Sequence, residues 1–385
     1  MDLQQILQAT RAIATETLAP EAAAIDREGR WPSTGMRRLL DSPLSGLVIP
    51  RRHGGLGQGL IGLSKVCEIL AAGCPSTAMC FGMHAVASAV IAARATAEQV
   101  TQFLKPIVAG RHLTTLALSE AGTGAHFYIP QTIVTSTEQH YLVTGQKSFI
   151  TSGGRADSYV VSVAPADERQ SGRFSCIVVP ADTEGMRWRG DWDGLGMRGN
   201  SSRTVDLRNV RVPKSHLLGA EGDQIWFVFE IIAPYFVMAM SGVYLGIAQR
   251  SLTLAIDSVR QRRHGHNGLS LAKRDVIQYQ IGELWANVER SRQLMYSAAT
   301  AFDDGEPTAL PAVLSVKAEV AQSATHVTNE AMTLAGGRAY GQNSELARLL
   351  RDVRAAHVMA PTTDFLRLWV GRSVLGEPML ADEVG

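Results

Sequence analysis

A change of texture in the middle of the chain constrains its fold more than any motif does. Across residues 113–218 the sequence breaks into short β-branched runs, "QTIVTST", "HYLVTGQKSFIT", "DSYVVSVAP", "FSCIVVP" and "TVDLRNVRVP", separated by Gly, Asp and Pro. That pattern predicts an antiparallel sheet or barrel. Thr204, Asp206 and Arg208 alternate with Val205 and Leu207, which predicts one wet face and one buried face. Both flanks are helical. "GLIGLSKVCEILAAG" carries Ile61, Val66, Ile69 and Leu70 near helical spacing, and Ala248, Leu252, Ala255 and Val259 fall at i, i+4, i+7 and i+11. Ile277, Ile281, Leu284 and Val288 do the same, and Val313, Val316 and Val320 renew the stripe. Strands and helices are segregated rather than alternating. The prediction is an α+β chain with an N-terminal helical domain over 1–112, a middle antiparallel β-domain over 113–218 and a C-terminal helical bundle over 219–385. At 385 residues the chain exceeds one ordinary core, which agrees with several units.

Several function classes drop out early. Lys and Arg number 37 against 36 Asp and Glu, so charge gives no reason to expect nucleic acid or an anionic membrane as partner. Two uncharged runs, 70–93 and 231–248, imitate membrane spans. Pro75 and His84 interrupt the first; the second contains Pro234, Tyr235 and Tyr244 and is shorter than the ~20 apolar residues a span needs. Both are expected as buried helices. Cys67, Cys74, Cys80 and Cys176 form no CxxC pair and read as buried free thiols. The opening "MDLQQILQATRAIATETLAPEA" has no secretory character, so a cytoplasmic location is expected. His264 and His266 are the one close histidine pair, with no carboxylate ligand set beside them, and no metal site is expected. "GLGMRG" at 194–199 matches the dinucleotide fingerprint GxGxxG, but a strand-like stretch follows it instead of a helix, so that reading is rejected.

A series of spaced blocks carries more. In order they are "LTTLALSEAGTGAHF" (113–127), "GQKSFITSGGRAD" (145–157), "GLGMRGNSSRTVDLRNVRVPKSHLLG" (194–219), "SVRQRRHGHNGLSLAKRDVIQYQIGEL" (258–284) and "TLAGGRAYGQNSELARLLRDVRAAHVMAPTTD" (333–364). Together with "APEAAAIDREGRWP" and "IPRRHGGLGQG" in the opening half, their order and spacing resemble the acyl-CoA dehydrogenase family over essentially the whole chain. The resemblance implies a C-terminal four-helix bundle and FAD lying between it and the β-domain. It also implies oxidation of an acyl thioester, carried by CoA or an acyl carrier protein, at Cα–Cβ. A carboxylate takes the α-proton while the β-hydrogen leaves as hydride. An electron-transfer flavoprotein as acceptor and a homodimer or homotetramer are implied as well.

By the same resemblance, Leu116, Leu118 and Ser119 approach the isoalloxazine edge, Phe149 packs on its face and Thr151 offers a hydroxyl near N5. Ala125 stands where the family has a serine touching flavin and substrate. Gly336, Gly337, Thr362 and Asp364 match positions that meet the pyrophosphate and adenine side across a subunit boundary, with Thr333 in place of a usual Gln. Arg263 is the nearest match to an FAD-binding arginine, with Arg262 or His264 as alternatives in an irregular loop.

The departure that matters is Ala360. Most of the family has its catalytic Glu there, and a minority supplies the Glu from a position that is Phe236 here. Three expectations follow. The first is dehydrogenation with a base from elsewhere, for which Glu230, Tyr235, Tyr340 and Asp364 are the ionisable candidates. The second is other flavin chemistry, as a monooxygenase or a redox-neutral enzyme. The third is a non-catalytic subunit of a hetero-oligomeric enzyme.

Overall fold

The computed structural model describes residues 1–167, 169, 172–263, 265 and 268–380. Its first part is helical, ending with Lys105–Val108, and is organised around two buried helices, Leu60–Gly73 and Pro75–Ala93. The break between them is local chemistry. Cys74 is extended at φ −150° and ψ 107°, and Pro75 occupies the first turn of the second helix, where its missing N–H and fixed φ do no harm.

The β-domain contains β1 (Thr114–Ala117), β2 (Ile133–Ser136), β3 (His140–Ile150), β4 (Ser158–Pro165), β5 (Ser175–Pro180), β6 (Met186–Arg189), β7 (Arg203–Pro213) and β8 (Leu217–Leu218). They run in the order β6-β7-β3-β2-β4-β5-β8, with β1 also on β4. Most neighbours are antiparallel, as predicted, but β1 and β2 both pair with β4 in parallel. The predicted alternation on β7 breaks at Asp206, which is buried. Arg189 and Gln146 donate to its two oxygens at 2.8 and 2.9 Å, so the carboxylate meets its partners inside the sheet instead of in water.

The C-terminal part is built on Ala233–Gln261, Asp275–Asp303, Ala309–Ala335 and Thr363–Leu375. Ala248, Leu252, Ala255 and Val259 are all buried, as are Val313, Val316 and Val320. The long Ala233–Gln261 helix also lies against Leu60–Gly73 and so joins the first and last parts of the chain. Their backbones touch at two glycines. A Cβ on Gly242 would stand 2.4 Å from the Ser64 carbonyl oxygen, and one on Gly246 2.3 Å from that of Glu68. Among the described residues, two helices are apolar enough to cross a membrane by length and composition, and both are enclosed by protein, 94% and 89% of their most apolar windows being buried.

Candidate active site

A cleft of about 650 Å³ opens where the β-domain meets the helical parts. The β-domain contributes Leu116, Leu118 and Ser119 from the end of β1 and the loop after it, and Ser148, Phe149 and Thr151 from the end of β3. The C-terminal region contributes Ala355, Val358, Met359, Ala360 and Pro361. Met83, Phe127, Ile232, Ala233 and Phe236 give the cleft an apolar lining, and Trp192, Leu195, Arg351 and Arg354 also line it.

The β-domain side is held by a buried ion pair. Lys147 is fully buried on β3, and its Nζ donates to the Leu118 carbonyl at 3.2 Å, to Ser162 Oγ at 3.0 Å and to Glu120 Oε1. Glu120 in turn accepts from the backbone N–H of Gln131 at 2.8 Å and of Thr132 at 3.0 Å. Burial works to raise the Glu120 pKa, but the Lys147 charge and the Thr132 hydrogen bonds outweigh it and hold the carboxyl below its ordinary value. A second tie, from the Ser148 N–H to the Ser119 carbonyl at 2.8 Å, closes the same junction. The two cleft-lining segments are therefore one rigid unit, since Lys147 and Glu120 are each adjacent to the residues they position.

Phe149 shows what that rigidity is for. The pairing of β3 with β7 slips between Lys147 and Ile150, and in that irregularity Phe149 takes φ +55°, a conformation a bulky residue rarely adopts. Its ring projects into the cleft with 65% of its surface exposed, in a protein whose other phenylalanines are buried or half-buried. A strained backbone that exposes an aromatic face, bordered by the hydroxyls of Ser119 and Thr151, fits a planar ring with a polar edge. A further lining residue, Asn200, points the same way: its Oδ1 is buried without a hydrogen-bond partner.

The 194–199 loop that imitates a dinucleotide fingerprint has its glycines for packing. A Cβ on Gly196 would meet the Arg351 carbonyl oxygen at 2.3 Å, and one on Gly199 the Ile25 side chain at the same distance. Met197, at φ +50°, donates its N–H to Asp352 Oδ1 at 2.6 Å. Asp352 is fully buried, and burial pushes its carboxyl up to about 6 despite that hydrogen bond. Arg351 grips Asp26 with both ends of its guanidinium, the Nη1–Oδ1 distance being 2.8 Å.

The cleft thus brings together Leu116, Leu118, Ser119, Phe149, Thr151, Phe236 and Ala360. Ala125 does not line it, although its neighbour Gly124 does. Gly336, Gly337, Thr362, Asp364 and Arg263 lie off it. Gly336 ends the Ala309–Ala335 helix at φ +74°, and Arg262 donates to the Leu334 and Ala335 carbonyls at 3.2 and 3.1 Å, so that guanidinium already serves the helix end. Asp364 is exposed in the first turn of Thr363–Leu375, where the helix dipole favours a carboxylate. His264 lies outside the described residues.

None of the four expected ionisable bases lines the cleft. Glu230 and Tyr340 are exposed, and Tyr235 has its phenol pushed up to about 12 by burial and by Asp303. Glu120 is the one carboxylate among the lining residues, and both its oxygens are taken. Sequence reasoning missed Met83, Phe127, Trp192 and Asn200. Nothing in the sequence around Lys147 or Glu120, which both have polar neighbours, marks them as a buried pair.

Three family models match in register with this architecture: acyl-CoA dehydrogenase, N-terminal domain, over residues 1–111; the middle domain over 115–210; and the C-terminal domain over 237–375. The chain is 27% identical over 371 residues to a cyclohex-1-ene-1-carbonyl-CoA dehydrogenase of Geobacter metallireducens, covering 96% of this chain and 97% of that protein. It is also 27% identical to the mitochondrial short-chain specific acyl-CoA dehydrogenase of Homo sapiens, covering 97% and 90%. Butyryl-CoA dehydrogenase of Megasphaera elsdenii superposes with a TM-score of 0.91 at 25% identity, over 97% of this chain and 98% of that one.

Proposed function

Because the chain belongs to the acyl-CoA dehydrogenase family, we propose that it is an FAD-dependent oxidoreductase that desaturates an acyl thioester at Cα–Cβ without a glutamate base. The observation that carries this reading is the strained, outward-facing Phe149 beside Thr151 and the Leu116–Leu118–Ser119 segment in one cleft. When bound, the flavin supplies the hydride acceptor. Phe149, Thr151 and the loop after β1 would hold the flavin ring, and the apolar side chains of Met83, Phe127, Ile232 and Phe236 would receive the acyl chain and exclude water. With a methyl group at Ala360, the α-proton leaves to an acceptor other than a side chain at that position. Loss of a general base typically lowers a rate by about 10²–10⁴, so slow turnover is expected.

The named relatives act on acyl-CoA thioesters, and a CoA ester of a compact acyl group is the proposed substrate, with an electron-transfer flavoprotein as acceptor. Gly336, Gly337 and Arg263 stand away from the cleft of their own chain, which supports their meeting the cofactor of a second copy in a homodimer or homotetramer. Four buried free thiols support a reducing, cytoplasmic location.

The test is the protein as isolated. A yellow chain releasing FAD on denaturation, and bleached by anaerobic mixing with a panel of short acyl-CoA esters, is the expected result. Colourless protein that binds flavin only after a sister chain is added would replace this reading with the non-catalytic subunit. Oxygen uptake dependent on NAD(P)H would replace it with a monooxygenase.

A further inference from the structure

The mechanism above gives no task to a buried charge on the bundle side. Lys317 sits on the Ala309–Ala335 helix between Val316 and Ala318, all three buried. Its side chain is 0% exposed and forms no ion pair among the described residues. Its Nζ instead donates to three backbone carbonyls, Ala356 at 3.1 Å, Met359 at 2.8 Å and Pro361 at 2.7 Å. An ammonium has three N–H donors, so every one is used. The acceptors are not scattered. Ala356 belongs to the short helix Ala355–Val358, and Met359 and Pro361 stand on either side of Ala360. The turn so gripped is the cleft wall itself, since Ala355, Val358, Met359, Ala360 and Pro361 all line the cleft while Lys317 does not.

We propose that Lys317 is a positioning residue for the reaction: from inside the protein it fixes the turn that carries Ala360, and thereby the spacing between the bundle wall and the ring-facing wall of the cleft. Three carbonyl dipoles converging on one cation set the turn in all directions, which a neutral donor with fewer N–H groups, or a planar guanidinium, does not reproduce. Other contacts to the turn are weaker: the Tyr244 hydroxyl reaches Met359 Sδ at 3.2 Å, and Thr325 Oγ1 meets His357 Nε2 at 3.1 Å. A lysine whose work were stability alone would be a poor choice, because burial disfavours its charge and draws it down to about 7. A lysine that holds a reactive wall in register has a reason to be there.

The inference rests on the dehydrogenase reading, and a double-mutant cycle separates the two. Four full-length proteins are compared: the parent, Lys317→Met, Ala360→Glu, and the double variant. Flavin bleaching by saturating butyryl-CoA is followed under anaerobic mixing, with the visible flavin spectrum of each protein recorded before mixing. The expected result is a rate gain of about 10²-fold or more for Ala360→Glu, shrinking to within about threefold in the Lys317→Met background. KM should stay near the parent value, and the flavin band should shift in both Lys317→Met proteins at temperatures far below their unfolding. An equal gain in both backgrounds with unchanged flavin spectra would overturn the positioning role. No gain from Ala360→Glu alone would sink the proposed reaction instead, leaving the flavin spectrum to decide on Lys317. Should Lys317→Met not fold, Lys317→Ala supplemented with ethylammonium takes its place. Saturable recovery of the flavin spectrum would support the role, and none in a folded variant would end it.

Discussion

On the β-domain side of the cleft, a buried lysine faces a buried glutamate; on the bundle side, a buried lysine faces only backbone. Lys147 pairs with Glu120 and ties the loop after β1 to the end of β3. Lys317 ties the Ala356–Pro361 turn with three carbonyls. Both hold a wall rigidly, yet the first wall presents an aromatic face and hydroxyls while the second presents the methyl of Ala360. The difference teaches that scaffold and reactive group are separable. Rigidity of each wall comes from a buried lysine behind it, whatever side chain the wall presents.

Restoring a carboxylate is the strongest way to sharpen that comparison. Ala360→Glu should raise the rate of anaerobic flavin bleaching by acyl-CoA by about 10²–10⁴, the usual contribution of a general base; an unchanged rate in a folded, flavin-loaded variant would mean the second wall is not built for one. Breaking the ion pair of the first wall comes next. Glu120→Gln leaves the Lys147 ammonium buried without a counter-charge, and urea unfolding should register a loss of about 3–5 kcal/mol. Phe149→Ala removes the exposed ring while leaving the pair intact. It should weaken flavin binding by about 0.5–1.5 kcal/mol, measured by fluorescence titration of the apoprotein, with little change in stability.

A pH profile comes last and concerns Asp352, whose partner Met197 and neighbour Arg351 both line the cleft. Burial raises its folded pKa from 3.8 to about 6, so its favourable term is complete below the ordinary value and fades as pH rises through 6. The parent should lose stability as pH rises across that window, and Asp352→Asn should lack that slope while keeping an acceptor for the Met197 N–H.

The segregated textures, the strand runs and the helical stripes were legible because each follows from a period of two or of 3.6 within a single segment. So was much of the β-domain lining of the cleft, because Leu116, Leu118, Ser119, Phe149 and Thr151 fall in two contiguous blocks. What stayed hidden depends on contacts between distant segments. The parallel seat of β1 on β4 has no local signature. The outward turn of Phe149 arises from a slip against β7. Lys317 looked like any lysine on a helix, since its carbonyl partners lie 39 to 44 residues further on. The family resemblance marked Ala360 as an absence, whereas the structure is what reveals that the turn around it is still gripped.

The bond between Arg351 and Asp26 joins positions 325 residues apart. During synthesis the amino-terminal helices leave the ribosome long before the segment that completes their neighbourhood has been translated, at roughly 5–20 residues per second. Asp26, and the 194–199 loop that awaits Asp352, must therefore stay without those partners until residues 351 and 352 have been made. A chain stopped before residue 351 would have its sheet and most of its helices, but a cleft without its bundle-side wall.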